Sequence, residues 1–198
     1  MKKTIAIDID DVLSRNVEHF VEWSNKMWGT KLTIDDFDED FVAMWGIPRS
    51  ESQKRFQQYV DNELAHEHQA LIEAIPIISK LKQKYTLILI TSRRTVLAPV
   101  TRRWIDQHFP DLFEVIHHTG FYDSYDDTSH HRTKADICQE MKVDYLIDDQ
   151  PKHCFAVAEV GIETLLFGDY IWNRNIKDLP PRVTKVKDWQ GVKDYFDK

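Results

Sequence analysis

Three carboxylates close a short apolar run near the start of the chain: Asp8, Asp10 and Asp11 follow Thr4-Ile5-Ala6-Ile7, with Ile9 set between the first two. Acids this close repel one another, and a fold that gathers them must offset them with a cation, often a bound metal ion, or with proton uptake. A second acidic pair, Asp148-Asp149, ends the run Tyr145-Leu146-Ile147. A third run, Thr86-Leu87-Ile88-Leu89-Ile90, ends in the hydroxyls of Thr91 and Ser92, with Arg93 and Arg94 next. Lys134 lies between the last two groups in sequence. Carboxylates in a hard, oxygen-lined setting select magnesium, which keeps several waters and works beside substrate phosphates. Hydroxyls, backbone N–H groups after Asp8 and a lysine can hold phosphate oxygens. The chemistry of the set is phosphoryl transfer.

For these residues to act together, the runs that carry them must be neighbouring strands. Each is short, apolar and rich in β-branched residues, the pattern of a strand buried on both faces. In a parallel sheet the carboxyl ends share one edge, so residues some 140 positions apart in sequence can face one pocket. From Glu73 onward strands alternate with helices: a helix entered near Pro76, the strand 86–90, a helix over Val96–His108, a weaker strand over Phe113–Ile116, and a polar loop over His117–His131. A helix over Thr133–Met141, the strand 144–147 and a helix opened by Pro151 and closed by Gly161 follow. Thr164–Phe167 is the last core strand, and a short strand at Val183–Val186 precedes a terminal helix capped by Asp188. The expected fold class is α/β, a mostly parallel sheet in a three-layer arrangement.

Residues 14–73 break this alternation, because they hold helical spacing and no convincing strand. Val17, Phe20, Val21, Ser24, Met27 and Trp28 define a helix from about Ser14, read as its N-cap, to Trp28, and Gly29 ends it. Thr33 and Asp36 open a second helix through Phe37, Phe41 and Trp45, stopped by Gly46 and Pro48; Ser50 opens a third carrying Phe56, Tyr59 and Leu64. The segment's aromatic residues could line a pocket for a flat ligand or pack as a small helical core.

Composition sets bounds on partners. With 198 residues and 42% hydrophobic content the chain can bury a full core and carry an insertion. The net charge of −7 argues against a broad nucleic-acid or anionic-membrane surface, so a phosphorylated ligand must be met by local cations. No stretch approaches the roughly 20 apolar residues of a membrane span. Cys138 and Cys154 lack metal-type spacing and point to free thiols in a reducing compartment, with the cytoplasm the simplest location. The histidine pairs His117/His118 and His130/His131, and His66/His68, show no zinc-site spacing.

Strand-Asp-x-Asp, a strand ending in Thr/Ser, a lysine and a strand ending in Asp-Asp, in that order, resembles the four signatures of the haloacid dehalogenase (HAD) superfamily of phosphatases, over essentially the whole chain. A two-component receiver domain also uses acids, a hydroxyl and a lysine, but its acceptor Asp lies on a middle strand and no helical insertion follows the first. The resemblance implies a Rossmann-like HAD core formed by residues 1–13 and 74–198, with 14–73 as a helical cap. It implies Asp8 as nucleophile, forming an aspartyl-phosphate, and Asp10 as general acid and then base, a role expected of a carboxyl whose pKa neighbouring acids raise. Magnesium would be held by Asp8, by the backbone carbonyl of Asp10 and by Asp149, with Asp148 on a metal-bound water or on Lys134, the order of the pair open to reversal. Thr91, Ser92 and Lys134 would bind the phosphoryl group, with Arg93 a further grip on substrate.

Two positions depart from the commonest pattern: Asp11 stands where glycine is frequent, and Val12 where many phosphatases carry threonine. Asp11 is expected to face outward or to cap the following helix. Val12, the Thr91-Ser92 pair and the compact helical insertion resemble the cytosolic 5'-nucleotidase, deoxyribonucleotidase-like branch, including bacterial members. The implied activity is magnesium-dependent hydrolysis of small phosphate esters, nucleoside monophosphates foremost. The alternatives are a HAD phosphatase acting on a sugar phosphate or other small phosphometabolite, and a non-catalytic binding protein of the same fold.

Overall fold

The computed structural model of the protein describes residues 2–62, 64, 67–120, 123 and 132–198. Six strands, all parallel, form one sheet in the order β3-β2-β1-β4-β5-β6: β1 Thr4–Ile7, β2 Thr86–Thr91, β3 Ile116–His118, β4 Tyr145–Asp148, β5 Glu163–Phe167 and β6 Val183–Val186. The order reverses at β1, which pairs with β2 on one side and β4 on the other. Open α/β sheets place ligands at such a reversal, outside the strand carboxyl ends.

The β-branched and aliphatic composition of the strands follows from helices covering both faces. Ile5 and Ile7 of β1 pack with Leu87 and Leu89 against Ile78, Trp104, Phe109, Trp189 and Val192, which lie on or at the ends of α4 (Ala74–Lys84), α5 (Ala98–His108) and α8 (Trp189–Phe196). Ala6, Ile88, Ile90 and Leu146 point the other way, toward Ile137, Cys138 and Val157 of α6 (Lys134–Glu140) and α7 (Pro151–Glu159). Both cysteines are buried free thiols.

Between β1 and α4 the chain forms α1 (Asn16–Trp28), a 3-10 turn (Ile34–Asp36), α2 (Phe41–Trp45) and α3 (Arg49–Asp61). It leaves and rejoins the sheet side by side: Arg15 N–H donates to Gln69 O at 2.9 Å, and Leu71 N–H to Leu13 O at 2.8 Å. Phe20, Tyr59 and Leu64 form a separate apolar cluster there, with Trp23, Phe37, Phe41, Trp45 and Phe56 around it.

Several boundaries differ from expectation for local reasons. Ser14 is not the α1 cap; its hydroxyl bonds back to Ile9 O and Asp10 Oδ1, and its backbone bridges Asp10 and Ala70. The expected second helix is split: the Thr33/Asp36 capping box closes only a 3-10 turn, Phe37 is extended, and Asp40 caps the separate α2 through Val42 N–H. The third helix begins at Arg49, directly after Pro48. Strand β3 runs over Ile116–His118 instead of Phe113–Ile116, so His117 and His118 belong to the sheet edge; most of the expected loop, with His130 and His131, lies outside the described residues, as does His66.

Candidate active site

Strand lengths decide which groups reach the carboxyl edge. β1 stops at Ile7, so Asp8 is the first residue beyond it; β2 ends on Thr91 and β4 on Asp148. Register keeps the three level, with Ile7 opposite both Leu89 and Ile147. Lys134 arrives from the far side as the first residue of α6, whose start is fixed by a capping box between Thr133 and Asp136.

Lys134 is 1% exposed and bridges two acids, with Nζ 2.8 Å from Asp8 Oδ2 and 2.6 Å from Asp148 Oδ2. The second oxygen of Asp148 accepts from Gln150 N–H at 2.9 Å, and Asp149 Oδ2 accepts from the Trp172 indole at 2.8 Å. Asp8 Oδ1 is buried with no hydrogen-bond partner. One oxygen each from Asp8, Asp148 and Asp149 lie within 4.8 Å of one another, all three residues buried.

Three acids against one lysine leave an excess of negative charge in a low-dielectric setting, which opposes ionisation of Asp8 and Asp149. Burial, reinforced by Asp148 and Asp10 and opposed by Lys134, pushes the Asp8 carboxyl up to about 7. Burial and the neighbouring acids Asp148, Asp11 and Asp8 hold Asp149 well above the usual carboxylate range. An orphaned buried oxygen beside two further carboxylates, all of them hard donors, fits a divalent cation.

Asp10 stands apart from this cluster. Its carboxylate is clamped by Arg93, with Nε 3.1 Å from Oδ1 and 3.0 Å from Oδ2 and Nη2 2.6 Å from Oδ1. Burial alone would raise the Asp10 pKa, but the Arg93 charge and hydrogen bonds outweigh it and hold it below the ordinary value. This corrects the expectation of a carboxyl raised by neighbouring acids. It also changes the reading of Arg93, whose guanidinium is buried against Asp10 and Thr101.

Asp11 does cap the helix. Its Oδ1 accepts from Val17 N–H at 3.1 Å, and its backbone sits at φ +57°, the left-handed conformation that glycine adopts without strain. Burial raises its carboxyl to about 8 against the pull of that N–H bond.

A cavity of about 250 Å³ opens over the edge. Asp8, Asp10, Ser92, Arg93, Lys134 and Asp149 contribute to its wall on the sheet side. Phe37, Phe41, Phe56 and Tyr59 face it from the helical segment, whereas Trp23, Trp28 and Trp45 pack edge-on among themselves. The segment's aromatic residues therefore divide between pocket and core. Thr91 is fully buried, outside the wall, its hydroxyl accepting from Arg93 N–H at 3.1 Å.

Two residues at this edge were invisible in the motifs. His68 is buried, its Nε2 2.6 Å from the Tyr59 hydroxyl and its Nδ1 3.2 Å from Arg93 Nη2. Trp172 reaches Asp149 from a turn after β5. Both come from irregular segments where no spacing rule applies. Among the described residues no helix is long and apolar enough to cross a membrane.

Comparison with known proteins agrees with this geometry. The Bacillus subtilis (strain 168) protein named "Putative nucleotidase YqfW" is 26% identical over 195 residues, covering 93% of this chain and 89% of its own length. The haloacid dehalogenase-like hydrolase SP0104 of Streptococcus pneumoniae superposes with a TM-score of 0.71 at 17% identity, over 98% of both chains. The HAD-hydrolase YfnB of Bacillus subtilis, solved with magnesium bound, gives a TM-score of 0.62 at 13% identity, over 100% of this chain and 99% of its own. At these identities the two structures establish a shared fold. The family model for 5' nucleotidase, deoxy (pyrimidine), cytosolic type C protein matches residues 2–197. With that match running nearly end to end, the chain belongs to the cytosolic type C 5' nucleotidase family of phosphoric monoester hydrolases and shares the fold of haloacid dehalogenase-like hydrolases.

Proposed function

We propose that this chain hydrolyses nucleoside monophosphates with magnesium as its cofactor. The observation that carries the reading is the juxtaposition of Asp8, Lys134 and Asp149 in the wall of a cavity whose other side is aromatic. Residues 1–13 and 74–198 form the catalytic core in this reading, and 14–73 a cap whose Phe37, Phe41, Phe56 and Tyr59 offer flat surfaces to a base.

Asp8, the backbone carbonyl of Asp10 and Asp149 would hold magnesium, with Asp148 committed to Lys134. When bound, the ion would supply positive charge to the phosphoryl oxygens and favour the ionised form of Asp8. Asp8 attacks phosphorus, the bond from phosphorus to the ester oxygen breaks, and Asp10 delivers a proton to that oxygen. Water then gives its proton to Asp10 and attacks the aspartyl-phosphate, releasing phosphate and restoring Asp8. Lys134 offsets charge on Asp8 and on the transferring group, while Ser92 donates a hydrogen bond at the strand end and Thr91, buried behind it, holds the turn by accepting from Arg93 N–H. Arg93 sets the timing of the proton: an arriving phosphoryl dianion competes for its guanidinium, and Asp10, losing that partner, becomes basic enough to take up the proton it will deliver.

The test is phosphate release from a panel of ribo- and deoxyribonucleoside monophosphates and sugar phosphates, with magnesium, with chelator, and with Asp8→Asn. Magnesium-dependent turnover of a nucleotide, lost in the variant, is the expected result. Turnover confined to sugar phosphates would retain the chemistry and remove the nucleotide assignment, and silence toward every ester would favour a binding protein of the same fold.

A further inference from the structure

We infer that Trp172 is a positioning residue for the cation site: its indole N–H fixes which oxygen of Asp149 faces the ion and ties that orientation to Phe37 in the cavity wall. The inference rests on the reading of Asp8 and Asp149 as cation ligands given above.

Asp149 is the first residue beyond β4, so the sheet sets its backbone but leaves its carboxylate free to turn. Two groups from the strap after β5 remove that freedom. The Asn173 side-chain amide, completely buried, donates to Asp149 O at 3.0 Å and to Phe167 O at 2.8 Å, anchoring the strap to the loop. The Trp172 indole then donates to Asp149 Oδ2 at 2.8 Å. An indole N–H is a donor only and carries no charge, so it fixes the direction of the carboxylate without neutralising it. Partners of this kind on a ligating carboxylate orient it and tune the affinity for the ion.

The ring is itself held on both sides. It stacks on Tyr170 with centroids 4.7 Å apart and planes 11° from parallel, and the Tyr170 hydroxyl donates to Asp11 O at 2.7 Å, so the strap grips the first acidic turn as well as the last. Gly168, at φ +90°, makes this possible: a Cβ at that position would lie 2.2 Å from the Tyr170 ring. The indole also meets Phe37 at 5.5 Å and 62°, and Arg174 pairs with Asp35 at 3.0 Å close by. One aromatic ring thus contacts a cation ligand and a cavity-wall residue. A ligand that shifts Phe37 shifts the indole, and cation binding and cavity occupancy become linked.

The experiment measures magnesium binding to the full chain in the absence of any ester, by calorimetry and by the magnesium-induced rise in melting temperature. Trp172→Phe keeps an aromatic ring against Tyr170 and Phe37 and removes the N–H. It is expected to weaken magnesium by about 10–100-fold, with the metal-free melting temperature close to wild type; in turnover, raising magnesium restores kcat, and at saturating magnesium the KM for the ester matches wild type. Tyr170→Leu keeps the N–H but removes the ring beneath it, and weakens magnesium in the same direction by a smaller factor. Magnesium affinity in Trp172→Phe within twofold of a wild type that does bind the ion would overturn the inference. A wild type that binds no magnesium would overturn the cation-site reading, and this inference with it.

Discussion

Removing the cation at the centre of the acidic cluster gives the sharpest test of the electrostatics. Lys134→Met keeps most of the buried aliphatic stem and deletes the charge that stands 2.8 Å from Asp8 and 2.6 Å from Asp148. Breaking a buried ion pair on one side costs about 3–5 kcal/mol, because the partner charge is left uncompensated. For a domain of this length each kcal/mol moves the melting temperature by about 2–4 °C, so the metal-free variant should melt about 6–20 °C below wild type at pH 8. The deficit must depend on pH with a definite sign. Asp8 already titrates near 7 when folded, raised from 3.8 by burial against the pull of Lys134, and removing the lysine raises it further. An acid whose folded pKa is raised binds more protons folded than unfolded, so stability falls as pH climbs from the unfolded value through the folded one. The penalty in Lys134→Met is therefore larger at pH 8, above the value of about 7 for Asp8 in wild type, and smaller at pH 5, where Asp8 carries a proton in both proteins. Thermal unfolding of chelated wild type and variant at pH 5, 6, 7 and 8 measures it. A variant within 2 °C of wild type at pH 8, or a deficit that does not narrow by pH 5, would refute the reasoning, within roughly the resolution set by that scaling.

Three further outcomes follow from the same geometry. In Asp8→Asn, turnover should fall by at least about 10³-fold while the metal-free protein at pH 8 melts at or above wild type, since a buried like charge has gone; steady-state rates and a melting curve check both halves. Arg93→Met frees Asp10 from the guanidinium that lowers its pKa, and since Asp10 must carry the proton it delivers, the alkaline limb of the kcat/KM profile should move to higher pH; an unmoved limb would count against the Arg93–Asp10 coupling. Thr133→Ala removes the hydroxyl that accepts from Asp136 N–H and caps α6, at about 1 kcal/mol, and because Lys134 begins that helix, kcat should fall with stability.

What the sequence could convey depended on whether local pattern or long-range packing sets each position. The strands that lead to Asp8 and end on Thr91 and Asp148 were legible because two-sided burial forces an apolar run, and the polar residue that breaks the run marks its carboxyl end. The helix expected over Thr133–Met141 was legible too, and the structure fixes its start with a Thr133/Asp136 capping box that no reading of the sequence had singled out. The Asp10–Arg93 pair was not legible, since 83 residues separate its members and only the folded edge brings them into contact. Ser14 looked like a helix cap by residue type, but the chain's return at Ala70 recruited its backbone instead. The single helix expected from Thr33 to Trp45 failed because Asp38 and Asp40 compete with helix hydrogen bonding, Asp40 N–H turning to the Asp38 carboxylate. Trp172 and His68 sit in irregular segments, where residue identity says little until the partners are in place.

The central position of β1 has a consequence for how the chain acquires its shape in time. Its partner β4 begins at Tyr145, and at ribosomal rates of about 5–20 residues per second the gap takes roughly 7–30 s to synthesise. α6 precedes β4 in the chain, so Lys134 has been made before Asp148 and Asp149 arrive, and the neutralising charge is available when the last two acids are buried. Permuting the chain so that β4 is made first, ahead of Lys134, would withdraw that order and leave the same native contacts with a slower and more aggregation-prone route to them.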